Sequence, residues 1–338
     1  MLTLFGLLGA MFAGIIAESV LAVTDPAASD DEDDTPDDQT QGGTIPLDGD
    51  GSEGDAGSDL ILSDDDPDPA AEPLTLLGGV GDDLLQGGDA ADRIGGGGGN
   101  DQIDAGLGDD RLDGDEGDDI LWAGMGADTL AGGAGDDILH GQEGDDVVTG
   151  GAGDDSLCGH DGDDSLAGDE GQDTLIGGTG IDTLEGGADA DWLAGGEGGD
   201  LLLGGTGGDT LDGGTGDDTV HSAFPDGDDG DVDFLNGGDG DDMLFLGAGD
   251  HGSGGTGTDV FTLSQWLDEG EFATITDYDP DEDQIVVVYD PEIHADPQVT
   301  LSPVDGSHDV QILLDGNVIG LVTDGAGMSA DDITLVTA

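Results

Sequence analysis

Gly150-Gly151-Ala152-Gly153-Asp154-Asp155-Ser156-Leu157-Cys158 is one copy of a nine-residue unit that the chain writes sixteen times between Gly81 and Ser222 without a slip of register. Every ninth residue is an Asp: Asp83, Asp92, Asp101, Asp110, Asp119, Asp128, Asp137, Asp146, Asp155, Asp164, Asp173, Asp182, Asp191, Asp200, Asp209 and Asp218. Two residues after each Asp stands a branched aliphatic, from Leu85 and Ile94 to Leu211 and Val220. Two residues before the Asp stands Gly, except at Ala90 and Asp189, and two after the aliphatic stands Gly, except at Ala105, Ala123 and Ser222. With 83 acidic residues in 338, composition would put an acid in a column about a quarter of the time. An unbroken column is therefore a constraint of structure.

The unit has a shape of its own. Three glycines in five positions make a tight turn with positive φ angles and close backbone approach. The following x-aliphatic-x triplet is too short for a helix and points its middle side chain one way and its neighbours the other, as a strand does. Each unit thus reads as half a coil: a glycine-rich loop and a three-residue strand. Two units make an 18-residue coil, and stacked coils give two parallel sheets facing each other across a single file of Leu, Ile and Val. The fold class expected is all-β, a parallel β-roll.

Stacking has an electrostatic consequence. Alternate units lie on the same edge about 4.8 Å apart, so each Asp meets a like charge at about 1–3.5 kcal/mol per pair, depending on the effective dielectric. Repeated along both edges, this exceeds the ~5–15 kcal/mol by which folded domains are stable. The only basic residues are Arg93 and Arg111, so the counter-charge must come from solution. Carboxylates and backbone carbonyls in flexible glycine loops are hard ligands that suit calcium better than zinc or copper, and better than magnesium with its rigid octahedral demand. Here the units resemble the calcium-binding nonapeptide repeats of RTX proteins, the haemolysin-type family. The resemblance implies several Ca²⁺ ions held between successive coils by the Asp carboxylates and loop carbonyls.

After Gly216 a six-residue insertion around Phe224-Pro225-Asp226-Gly227 interrupts the stack, and the columns resume at Asp233/Leu235 and Asp242/Leu244. Asp233, Asp242 and Asp259 join the expected metal ligands. His251 reads as a replacement of the next Asp, followed by a one-residue deletion, and so as the mark of a weakened site. Upstream, Leu76-Leu77-Gly78-Gly79-Val80 reads as the entry to the roll, with Leu74 where an Asp would fall.

The remaining chain has a different alphabet. Residues 1–23 are apolar with Glu18 as the sole charge; a membrane anchor and a cleaved signal both fit. Residues 24–73, acidic and rich in Pro, Gly and Ser, read as a disordered linker. The roll is expected over 74–262, and a C-terminal β-rich cap and secretion region over 263–338. The cap includes a hairpin about Asp315-Gly316-Asn317 and Ile275 to Ile285, similar to the segment after the last repeat in many RTX proteins. The end, Asp331-Asp332 before an apolar run, is similar to type I secretion signals, which implies that machinery as a partner.

A net charge of −81 repels nucleic acid and anionic membrane surfaces. His-Glu-x-x-His and Gly-x-Ser-x-Gly are both absent, the six His show no ligand spacing, and Cys158 has no partner Cys. The expected function is calcium binding by a secreted or cell-surface protein that folds on taking up the ion, without catalysis of its own. The alternative is a relative of RTX-type proteases, lipases or epimerases, or a toxin accessory, whose catalytic part is absent or unrecognised.

Overall fold

The structure is a computed structural model that describes residues 60–61, 72–223, 230–264 and 272–338; the apolar segment 1–23, most of the acidic linker and the insertion tip fall outside them. The described residues form two sheets of 15 and 13 strands, parallel throughout the roll, where consecutive strands alternate between sheets. Through the regular repeats each strand pairs with the one 18 residues away: Leu157 lies beside Leu139 and Leu175. Side chains of the aliphatic column fill the space between the sheets, and Leu121, Leu139, Leu157, Leu175 and Leu193 are fully buried.

Strands are longer than the expected triplet. Thr174–Thr179 and its counterparts run six residues, through the aliphatic and on into the Gly-Gly pair. The first Gly of each pair is skipped in the register, so that Cys158 pairs with Ile176 and His160 with Gly178. Hydrogen bonding to the coils above and below continues around the bend, because glycine bends without leaving the ladder. Gly153 shows the need: it has φ +133, and a Cβ there would collide with the carbonyl of Gly135 one coil back.

At the entry, the Leu74 amide donates to Asp92 Oδ1 as a column Asp would, and Leu76 is buried. Leu60–Ile61, inside the stretch read as linker, pairs with Leu84 and Leu85. Unpaired edge groups of the first coil recruit a further strand from upstream. Beyond the insertion the register is kept, Thr210 pairing with Phe234 and Thr219 with Met243.

The C-terminal region closes the stack. Ala273–Ile275 and Gln284–Tyr289 each add a parallel strand to one sheet. Val310–Leu314 and Asn317–Val322 form the expected hairpin on a two-residue loop, with Asp315 at φ 52 and Gly316 at φ 92. Ile333–Thr337 pairs in parallel with Ile285 to Tyr289. Larger side chains replace the single file of leucines, with Phe261 set edge-on to Tyr278 at 6.4 Å.

Candidate metal centre

Each column Asp stands just after the glycine turn and before its strand, with its side chain turned inward; Asp83 through Asp218, Asp233, Asp242 and Asp259 are all buried. Their Oδ1 atoms tie the coils together. Asp137 N–H donates to Asp155 Oδ1 at 2.8 Å, and Asp155 N–H to Asp173 Oδ1 at 2.7 Å. The same bond joins Asp209 to Asp233 and Asp218 to Asp242 across the insertion. Two ladders of carboxylates result, one along each edge.

The other oxygen is the informative one. In every unit from Asp101 to Asp200, and again at Asp218 and Asp242, Oδ2 is buried without a hydrogen-bond partner. A buried carboxylate oxygen without a donor is costly. Where the first residue of a unit is glycine, it brings such oxygens together. A Cβ on Gly132 would collide with Oδ2 of Asp137 and stand 2.7 Å from the Gly150 carbonyl oxygen of the next coil; a Cβ on Gly177 would meet Asp182 Oδ2 and the Gly195 carbonyl at 2.6 Å. Carboxylate and carbonyl oxygens of consecutive coils thus converge on one side of each glycine. This oxygen-only set fits a hard cation of calcium type, which takes several such ligands in flexible geometry.

Burial pushes Asp119, Asp146, Asp155, Asp182, Asp191 and Asp218 up to about 7, and Asp110, Asp137 and Asp242 up to about 6. The amide bond from the preceding coil pulls the other way, and neighbouring carboxylates add to the rise. A group that resists ionisation in isolation is one whose charged form awaits a counter-charge.

The column continues where the sequence suggested a break. The unit before His251 is one residue short, so Asp250 takes the column place, buried, with Oδ1 accepting from Asp233 N–H. His251 is the first residue of the following strand and pairs with Phe234. Gly252 then occupies the aliphatic position, and a Cβ there would meet the side chain of buried Leu246, which fills the core instead. The weakened site expected at His251 is therefore a column member one residue earlier. Asp283 extends the other ladder, accepting from Asp259 N–H at 3.0 Å.

A second, exposed ladder was also missed. Asp154 Oδ1 accepts from Gln172 N–H, and Asp136 Oδ1 from Asp154 N–H. These bonds run in the opposite sense to the buried ones. Only the 18-residue spacing of Asp118, Asp136 and Asp154 signals them.

Among the described residues no helix is long and apolar enough to cross a membrane. No curated protein matches the chain at a significant level. The family model for the RTX calcium-binding nonapeptide repeat, in four copies, matches residues 75–103, 95–130, 104–139, 131–166, 167–202 and 194–223. With turn, aliphatic file and converging Asp oxygens all in their places, residues 75–223 are RTX calcium-binding nonapeptide repeats folded as a parallel β-solenoid.

Proposed function

We infer that the column Asp residues, Asp83 to Asp218 with Asp233, Asp242 and Asp259, are calcium ligands, that Asp250 joins them, and that calcium uptake drives the roll to fold. The observation that carries this is the run of buried, partnerless Oδ2 atoms facing the carbonyls of the next coil. Calcium would supply positive charge between the ladders; the chain's own part is to hold Oδ1 in the amide ladder and present Oδ2. Binding free energy is then folding free energy, since the separated coils have no site.

The protein acts outside the cytoplasm, released or held at the surface through residues 1–23, with residues 24–73 as tether, 74–262 as roll and 263–338 as cap. Two things support this: RTX repeat proteins are typically extracellular, and extracellular calcium modules work at ~10⁻⁴–10⁻³ M, above what a resting cytosol supplies. The segment from Asp331 to Ala338 serves export by type I machinery before folding and the cap afterwards. The chain works as a calcium-loaded scaffold without catalysis of its own.

Circular dichroism of the full chain across a calcium titration tests the reading. A β-rich spectrum should appear only with calcium, near the millimolar range. A β-rich spectrum in excess chelator at low salt overturns calcium-coupled folding, and complete folding at micromolar calcium overturns the extracellular timing.

A further inference from the structure

We propose that the outer face of the 15-stranded sheet carries a separate transition-metal site of the zinc class, formed by His140, Cys158 and His160. Periodicity builds it. His140 and Cys158 are 18 residues apart and pair directly in the ladder, both one residue past a core leucine and hence facing outward. His160 lies two residues beyond Cys158, on the same face, and takes φ +83 at a position where most units have glycine. One nitrogen from each His and the Cys sulfur lie within 4.8 Å of one another.

The geometry is close to what a tetrahedral ion needs. His140 Nδ1 and His160 Nε2 face each other at 3.1 Å. Two nitrogens bound at 2.0–2.1 Å to one tetrahedral ion stand about 3.3 Å apart, and a nitrogen and a sulfur bound at 2.3 Å about 3.6 Å apart. The nitrogens therefore need almost no movement, and the sulfur no more than about 1.2 Å. His160 is exposed and so able to turn, and Cys158 and His140 are half-buried. Trp122 stacks on His140 with ring planes 10° apart and holds that ring's orientation.

The donor set separates this site from the calcium ladders. Imidazole nitrogen and thiolate sulfur are the ligands zinc prefers, and calcium takes neither. Metal entry displaces the Cys158 thiol proton to solvent, leaving the fourth position open to water. Three protein ligands and one open position is the arrangement of an ion that binds or acts on a further molecule.

Cobalt(II), a coloured stand-in for zinc, is the probe, added to the full chain already saturated with calcium so that carboxylates are occupied. One cobalt per chain should bind with a sulfur-to-cobalt charge-transfer band, and zinc should abolish the band by displacement. Cys158→Ser should remove the band. His160→Gly, which restores the glycine of the repeat and so spares the fold, should weaken binding by at least about tenfold, as loss of a ligand costs no less than loss of a partner behind one. The calcium-dependent dichroism of both variants should match that of the parent chain. A wild-type spectrum without the sulfur band, or identical isotherms for wild type and His160→Gly, overturns the site.

Discussion

Interior and terminal members of the same Asp column differ in what their second oxygen meets. From Asp101 to Asp200, and at Asp218 and Asp242, Oδ2 has no donor. At the ends of both ladders the donor is an amide of the residue's own loop. Gly79 N–H serves Asp83 and Gly88 N–H serves Asp92 at the entry; Gly247 N–H serves Asp250 and Asp279 N–H serves Asp283 at the exit. These loops close on themselves although strands flank them on both sides, Leu60–Ile61 beside Leu84 and Ile333–Thr337 beside Gln284–Tyr289. An interior Oδ2 has no such donor and lies toward the carbonyl of the next coil, where the proposed ion would sit. The lesson is that the proposed need for a cation is greatest in the interior of the stack and smaller at its ends.

Removing calcium should give the largest effect. Hydrogen exchange with excess chelator should show loss of protection through the strands from Gln102–Leu107 to Thr219–Ala223, while the antiparallel hairpin of Val310–Leu314 and Asn317–Val322 keeps more of its own, since its bonds do not depend on the ladders. Equal loss in both regions would break the contrast. Next in size, Asp155→Ala removes one inter-coil hydrogen bond and one proposed ligand from the middle of a one-dimensional stack. In saturating calcium it should lower stability by roughly 2–3 kcal/mol, raise the calcium midpoint and reduce cooperativity in a dichroism titration.

Acidity gives the third test. Burial holds the interior carboxylates above the ordinary 3.8, Asp110 at about 6 and Asp155 at about 7. Without calcium the folded roll then binds more protons than the unfolded chain between pH 4 and 7, so its stability rises as pH falls through that window and is lost as pH climbs past about 7. With calcium, protons compete for the same oxygens, and the calcium midpoint should rise steadily as pH drops from 7.5 to 5.5. A midpoint independent of pH would remove the buried carboxylates from the binding reaction. The smallest effects should come from Asp83→Ala, at a self-closed end, and then Asp154→Ala, which loses one exposed bond to Gln172 and should stay within about 0.5 kcal/mol of the parent. Asp83→Ala matching Asp155→Ala would erase the difference between end and interior.

Much of this was legible because the period is rigid. Nine-residue columns give the two sheets and the buried aliphatic file without coordinates, since strand alternation puts every aliphatic on the same face. What stayed hidden is what periodicity alone does not encode. Strand length escaped because Gly-Gly reads as turn while its backbone still bonds to both neighbours. Asp250 escaped because a deletion can be placed on either side of His251, and only the packing of Leu246 over Gly252 decides it. Likewise the meeting of His140, Cys158 and His160 combines an 18-residue step along the stack with a two-residue step along a strand, a spacing no linear ligand pattern contains. The self-closed Oδ2 atoms at the ends depend on loop amides such as those of Gly79 and Asp279 turning toward them, which no column records.

Anomalous scattering from calcium-grown crystals tests the central claim most directly. The account predicts peaks inside both edges of the roll, each against an interior Oδ2 such as that of Asp155 and the carbonyl of the first glycine in the next coil, weaker beside Asp83 and absent beside Asp283. Peaks confined to the exposed column of Asp136 and Asp154, with the buried Oδ2 atoms unliganded, would contradict it.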